Sequence, residues 1–261
     1  MIEFHKMHGL GNDFIIVDCR DGAAVPSADI IMAMGDRKTG IGCDQFIILS
    51  APKSADADIF MQIVNAADGI EVEACGNATR CVASLLMQET GQDAIVVETV
   101  AGLLHCAAEN AGKTQIAVNM GAATHDDTKT FFGRDGYVVS IGNPHIIFFV
   151  DDVMAIDLEG VGPQIETDDV FPNRTNVEFA QIIGDDEIRM RVWERGEGIT
   201  QACGTGACAT GAAAIKAGLG ANPVTIVMDG GALTISEKGG DIYMSGPASY
   251  VCRGVYAPSD A

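Results

Sequence analysis

No Cys-x-x-Cys pair occurs in the chain, although its 261 residues include eight cysteines. That removes the usual dithiol redox motif and weakens any zinc reading, since structural zinc draws closely spaced ligand pairs. Basic residues are also scarce: 16 Lys and Arg stand against 36 Asp and Glu, a formal charge of −20. Tracking a phosphate backbone needs the opposite balance, so nucleic acid is not expected as a partner. The acidity gathers in clusters such as Asp126-Asp127, Asp151-Asp152 and Asp185-Asp186-Glu187, a solubility feature of a surface. Nothing approaches the roughly 18 consecutive apolar residues of a membrane span. The stretch MIEFHKMHGLGN, residues 1–12, lacks the apolar core of a secretory signal. The cysteines are therefore expected to be reduced thiols of a cytoplasmic protein rather than disulfides.

What is present is strand-like. Runs such as FIIVD (14–18), QFIIL (45–49), AIVVET (94–99), TQIAVNM (114–120), YVVSI (137–141) and HIIFFV (145–150) are short and rich in β-branched or aromatic residues. NVEFAQII (176–183), EIRMRVWE (187–194), VTIVM (224–228), ALTIS (232–236) and DIYM (241–244) continue the series, with turn signals such as Asp229-Gly230-Gly231 between them. Helices are fewer. One is expected from Ser27, a candidate N-cap, to Gly35. A second follows Cys75, where Ala78, Cys81, Val82, Leu85 and Leu86 share one helical face, ending near Gly91. A third follows Cys203, and GTGACATGAAAIKAGLG has no polar face before Lys216, which marks a buried helix. Each half thus holds many strands and one central helix, with a boundary in VNMGAATHDD (118–127). The layout is α+β with an internal duplication, not a run of βαβ units.

Both central helices start just after Ala-Cys-Gly, in ACGNATRC (74–81) and ACGTGACA (202–209). First-turn N–H groups have no partner inside a helix, and the helix dipole adds positive charge there, so a thiolate is favoured and a carboxylate can be cradled. One such step suits a thiol nucleophile. Two suit inversion at carbon, where one face loses a proton while the opposite face gains one. The plain alternative is that these cysteines are small buried hydrophobes. Cys19, Cys43, Cys106 and Cys252 are read that way, and Cys81 and Cys208, inside the helices, as core.

Taken together, FHKMHGLGNDFIIVD (4–18), DRKTGIGCDQ (36–45), ACGNATRC, IGNPH (141–145), TNVEF (175–179), WERGEGITQACGTGACA (193–209) and MSGPA (244–248) resemble the diaminopimelate epimerase family along nearly the whole chain. The resemblance implies two similar domains, each a β-sheet or barrel wrapped around a central helix with the active site between them. They are placed at 1–120 and 121–249, with 250–261 returning to the first. It implies interconversion of LL- and meso-diaminopimelate, for lysine and peptidoglycan precursors, by an isomerase that is a cytoplasmic homodimer without cofactor or metal, and without nucleic-acid or membrane partners. Cys75 and Cys203 become the acid–base pair. Gly76, Asn77, Gly204 and Thr205 hold the reacting carboxylate, and Asn12, Gln45, Asn65, Asn143, Asn176, Glu194 and Arg195 hold the distal amino-carboxylate. Arg195 offers a fork for a carboxylate and Glu194 a partner for an ammonium. His145 and Glu194 are placed to tune a thiol, while Trp193 reads as packing.

The chain departs from the family pattern at Ala78-Thr79, at Cys43, at Ile199, and by one extra residue between Asn65 and Cys75. Two other readings stay open: a racemase or isomerase of the same architecture acting on another substrate such as proline, and a non-catalytic thiol or metal-binding protein. The latter is disfavoured because Cys-x5-Cys and Cys-x4-Cys within helices do not match zinc spacing.

Overall fold

The structure is a computed structural model that describes residues 1–72 and 75–258. Glu73, Ala74 (which opens the first Cys-Gly motif) and residues 259–261 of the expected returning tail lie outside the described residues. The chain divides into one unit of residues 1–118 with the segment from Gly246 onward, and a second unit of residues 119–245.

The first unit begins with β1 (Ile2–Gly9), β2 (Asn12–Asp18), α1 (Ala28–Gly35), β3 (Gln45–Ser50), β4 (Ile59–Asn65) and β5 (Glu71–Val72). Then come α2 (Gly76–Thr90), β6 (Ala94–Thr99), β7 (Gly102–Ala108) and β8 (Gln115–Ala122), within which the chain leaves the unit. Along the sheet, β1 and β2 pair antiparallel, β2 and β3 parallel, β3 and β4 antiparallel, β4 and β6 parallel. β6, β7 and β8 close it as antiparallel neighbours.

The second unit repeats that plan. It comprises β9 (Thr124–His125), β10 (Lys129–Phe131), β11 (Arg134–Ser140), β12 (Pro144–Phe149), a 3-10 turn at Val153–Ala155, α3 (Leu158–Glu166), β13 (Asn176–Gly184) and β14 (Glu187–Glu194). After these come β15 (Gly198–Ile199), α4 (Gly204–Ala217), β16 (Val224–Met228), β17 (Gly231–Lys238) and β18 (Asp241–Pro247), within which the chain returns to the first unit as β19 (Ser249–Tyr256). β11 and β12 pair antiparallel, β12 and β13 parallel, β13 and β14 antiparallel, β14 and β16 parallel, then β16, β17 and β18 antiparallel. The order of pairing types is the same in both units, so the duplication is structural and the fold is α+β. Each sheet is mixed, because α1, α2, α3 and α4 each sit in a parallel crossover.

Side-chain alternation explains the apolar runs. Ile15 and Val17 of β2 and Phe46 and Ile48 of β3 face Ile31 and Met34 of α1 in one buried layer. Phe14, Ile16 and Ile47 point to the other face and are fully buried too. Strands covered on both faces read as unbroken apolar runs. In the second unit, Ile146, Phe148, Val177 and Phe179 make the corresponding layer with Leu158 and Ile165 of α3. The opposite face receives the central helix: α2 against β1, β2, β6 and β7, and α4 against β11, β12, β13, β16 and β17. α4 is built of small residues because the sheet closes on it. A Cβ on Gly211 would stand 2.6 Å from Ile235 Cγ2.

Some expectations differ from the structure. α3 was not foreseen: LEGVGPQIE carries two glycines and an interior proline, poor helix formers. Its start is fixed by Asp157, whose carboxylate accepts from the Gly160 N–H at 3.1 Å. Ser27 does occupy the N-cap of α1, but its side chain makes no capping bond. Cys252, expected to be buried, is exposed, because β19 leaves the run Tyr250–Arg253 uncovered. Cys19, Cys43, Cys81, Cys106 and Cys208 are buried as expected. Among the described residues no helix is long and apolar enough to cross a membrane.

Candidate active site

The topology brings the candidate residues of the first unit to one end of its sheet. Asn12 starts β2, Gln45 starts the parallel β3, and Asn65 ends the antiparallel β4, directly opposite Gln45. Gln45 Nε2 donates to Asn65 Oδ1 at 3.4 Å. Cys75 is the N-cap of α2 in extended backbone, and is half-buried. Its sulfur lies 3.6 Å from Asn12 Oδ1, which also accepts from Asn77 Nδ2 at 3.2 Å. The Asn12 amide is held from its other end, since Nδ2 donates to Asp44 Oδ2 at 3.0 Å. Arg80, fully buried one turn into α2, donates to Asn77 Oδ1 at 2.7 Å. The helix ladder begins with the Thr79 N–H on the Cys75 carbonyl, so the Gly76 and Asn77 N–H groups have no partner inside the helix. Cys43, the unusual thiol of this unit, is buried, and desolvation pushes it up to about 11.

The second unit presents the equivalent ends. Asn143 precedes β12, Asn176 starts the parallel β13, Glu194 ends the antiparallel β14, and Cys203 caps α4. Asn176 donates through Nδ2 to the Pro144 carbonyl at 2.9 Å and accepts the Arg195 backbone N–H at 2.9 Å. It thereby fixes the turn carrying Glu194 and Arg195. The exposed Arg195 side chain donates to the Asn173 carbonyl at 3.3 Å. Glu194 Oε1 accepts from the Thr200 hydroxyl. Below that turn, Glu166 accepts from the Trp193 indole at 2.7 Å and from the Gly196 N–H at 2.9 Å. Trp193 and Ile199 pack against the α3 layer, which accounts for an apolar residue at position 199.

Around Cys203 the groups are tightly set. Its sulfur accepts the Gly206 N–H at 3.3 Å and lies 3.6 Å from Thr205 Oγ1. The first ladder bond of α4 is from Ala207 to the Cys203 carbonyl, leaving the Gly204 and Thr205 N–H groups free of helix partners. The thiolate expected at a helix N-terminus meets opposition: burial raises the Cys203 thiol well above its ordinary value, and the Glu194 and Glu178 charges add to this. Thr205 and Gly206 act the other way as donors. Here 95% burial outweighs the helix terminus.

His145 holds both its ring nitrogens in bonds, Nδ1 to Glu178 Oε1 at 2.7 Å and Nε2 to Asn143 Oδ1 at 2.9 Å. It reaches Cys203 through Asn143 and Thr205. Glu178 was absent from the sequence reading. The signal was available in TNVEF: with Val177 and Phe179 facing α3, period-2 alternation sends Glu178 to the α4 face, where a carboxylate needs a reason. Among the described residues no cluster of three or more His, Cys, Asp or Glu is set to hold a metal.

The chain has clear relatives among known proteins. The family model "Diaminopimelate epimerase" matches residues 4–125 and 137–251. Relatives of that name from Rhizorhabdus wittichii, Bacteroides thetaiotaomicron and Rhodospirillum centenum are 48%, 46% and 45% identical, covering 96%, 97% and 96% of this chain and 93%, 97% and 91% of their own. Among solved structures, a PhzF-family phenazine biosynthesis protein of Bacillus anthracis aligns with a TM-score of 0.71 at 17% identity, over 97% of this chain and 98% of its own. A hydroxyproline epimerase of Agrobacterium vitis aligns with a TM-score of 0.67 at 15% identity, over 97% and 90%. These two share the fold. With the family model spanning most of the chain and relatives at 45–48% identity matching 96–97% of it, the protein belongs to the diaminopimelate epimerase family.

Proposed function

We propose that the protein is an isomerase that interconverts LL- and meso-diaminopimelate by proton transfer between two thiols, supplying lysine and peptidoglycan precursors. One observation carries the reading: in both units of a duplicated fold, a cysteine caps the central helix beside the same strand ends, followed by Gly76-Asn77 or Gly204-Thr205. Family membership gives the substrate.

In the forward step the Cys75 thiolate takes the α-proton and the Cys203 thiol delivers its own to the opposite face of the carbon. The C–H electron pair moves toward the carboxylate and returns to the new C–H bond. Afterwards Cys75 is the thiol and Cys203 the thiolate, so the reverse direction needs no reset. N–H groups of Gly76, Asn77, Gly204 and Thr205 bind the carboxylate and stabilise charge building on it. That help is central when the protein's own groups perform the whole reaction. Asn12, Gln45, Asn65, Asn143, Asn176, Glu194 and Arg195 recognise the distal amino-carboxylate. A substrate without it forfeits its contacts with that set and is bound less tightly. The same reading makes the protein a cytoplasmic homodimer acting on a small molecule, with neither nucleic acid nor membrane as partner; the acidic charge supports the nucleic-acid exclusion.

The test is incubation with LL-diaminopimelate in D2O with a thiol reductant and no added cofactor. Deuterium should enter the α-carbon as the isomers interconvert, and Cys75→Ala or Cys203→Ala should nearly abolish turnover. Normal epimerisation by the Cys203 variant, or faster α-proton loss from proline than from LL-diaminopimelate, would overturn the proposal.

A further inference from the structure

The buried pair Glu178–His145 has no place in the mechanism above, yet it ends a continuous hydrogen-bonded chain whose other end is the Cys203 sulfur. The direction of each bond follows from chemistry. Asn143 Nδ2 can only donate, so at 3.2 Å it gives its hydrogen to Thr205 Oγ1. Thr205 keeps its own hydrogen, and Sγ of Cys203 lies 3.6 Å from that oxygen. Asn143 Oδ1 can only accept, so His145 Nε2, 2.9 Å away, carries a hydrogen. His145 Nδ1 and Glu178 Oε1, 2.7 Å apart, then share one proton. Whether that proton is written on the imidazole or on the carboxyl, the pair has zero net charge and Nε2 remains a donor. The shared proton thus offsets the raising effect of the Glu178 carboxylate alone on Cys203.

Packing fixes the pair. Both side chains are fully buried, and among the described residues the Glu178 carboxyl makes its side-chain hydrogen bond to His145, which anchors it. Burial pushes the Glu178 carboxyl up while His145 pulls against it, as expected of a shared proton. Glu178 also reaches the helix start itself: a Cβ on Gly206 would come within 2.8 Å of Oε1.

We infer that Glu178 is a positioning residue that, through His145 and Asn143, turns the Thr205 hydroxyl hydrogen onto the Cys203 sulfur, so that the thiolate form of Cys203 meets two donors, Thr205 O–H and Gly206 N–H. Without Glu178, His145 is free to carry its hydrogen on Nδ1. Asn143 then reverses its amide, and the Thr205 hydroxyl donates to Asn143 Oδ1 instead of to sulfur. The inference rests on the reading of Cys203 as an acid–base group, but its test needs no substrate.

The experiment measures the rate of Cys203 alkylation by iodoacetamide against pH, resolved by peptide mass spectrometry, in the full-length protein and in Glu178→Met, Glu178→Gln, Thr205→Val and the Glu178→Met/Thr205→Val double variant. Thermal melts check folding. Glu178→Met should move the alkylation midpoint up by about one pH unit, a tenfold loss of thiolate at fixed pH. Thr205→Val should do the same, and the double variant should go no further than the larger single shift. Glu178→Gln, whose amide can donate to Nδ1 as a protonated carboxyl does, should shift less. A midpoint that falls in Glu178→Met would show a bare negative charge acting through space and overturn the inference, and additive shifts would do so as well. If Glu178→Met does not fold, an unmoved midpoint in Thr205→Val overturns it alone. A wild-type protein inactive on diaminopimelate whose Cys203 midpoint still moves as stated would fail the functional reading and retain this one.

Discussion

Glu178 Oε1 occupies the space that a side chain on Gly206 would need, 2.8 Å from the position of its absent Cβ, with the Cys203 sulfur 3.3 Å from the same point. Gly206→Ala therefore pushes the Glu178 carboxylate off its bond to His145 and crowds the thiol. Overpacking of this kind costs about 1–3 kcal/mol. The expected outcome is a folded protein with a lower melting temperature and kcat/KM reduced at least tenfold, checked by calorimetry and isomer-resolved assay.

Glu166 ties the turn carrying Glu194 and Arg195 to α3 through the Trp193 indole and the Gly196 N–H. Trp193 is the only tryptophan, so its fluorescence reports this site alone. Glu166→Ala should shift its emission to the red and raise KM for diaminopimelate more than it lowers kcat. An unchanged spectrum would mean that the turn stands without Glu166.

Acid should weaken the first unit through Asp13. Burial would raise this carboxyl, but Arg37 and Lys6 outweigh it and bring it down to about 2. A depressed carboxyl contributes stability that is fully present above its unfolded value near 4, and that contribution is lost as pH falls toward 2. It is on the order of 1–2 kcal/mol after solvent screening. Urea unfolding should show Asp13→Asn less stable than wild type at pH 7, with the gap narrowing steadily below pH 4.

Thiol labelling of the native protein should be sharply graded. Cys252 is exposed and should react first with a disulfide reagent. Cys81 and Cys106 are buried, with burial pushing both up to about 12, and should react only on unfolding. Cys252→Ala should remove the fast phase and leave epimerisation intact.

Much of the fold was legible. Val-, Ile- and Phe-rich runs marked most of the longer strands, and the Ala-Cys-Gly echo located both central helices, with Cys75 and Cys203 at their starts. What was missed has physical causes. β1, β4 and β7 carry His, Gln, Cys or Gly within them and lack a clean apolar alternation. β19, whose return was expected from the family resemblance alone, has no such run either. In β19 a glycine is required, since a Cβ on Gly254 would touch the Phe4 ring at 2.9 Å, and no local rule announces that. Glu178, Glu166 and Asp44 escaped notice because each acts on a residue far along the chain. Their partners exist only once the sheet register is set.

Because β19 pairs with β1 from Ile2↔Tyr256 to His8↔Ser249, the first unit is stitched from the opposite ends of the chain, while the second is one uninterrupted stretch. On the ribosome the second unit therefore has all of its strands before the first has its last one. The half that is made first is finished last, and until residue 256 has emerged the β1 backbone waits with one side unpaired, a nascent sheet margin open to any other strand nearby.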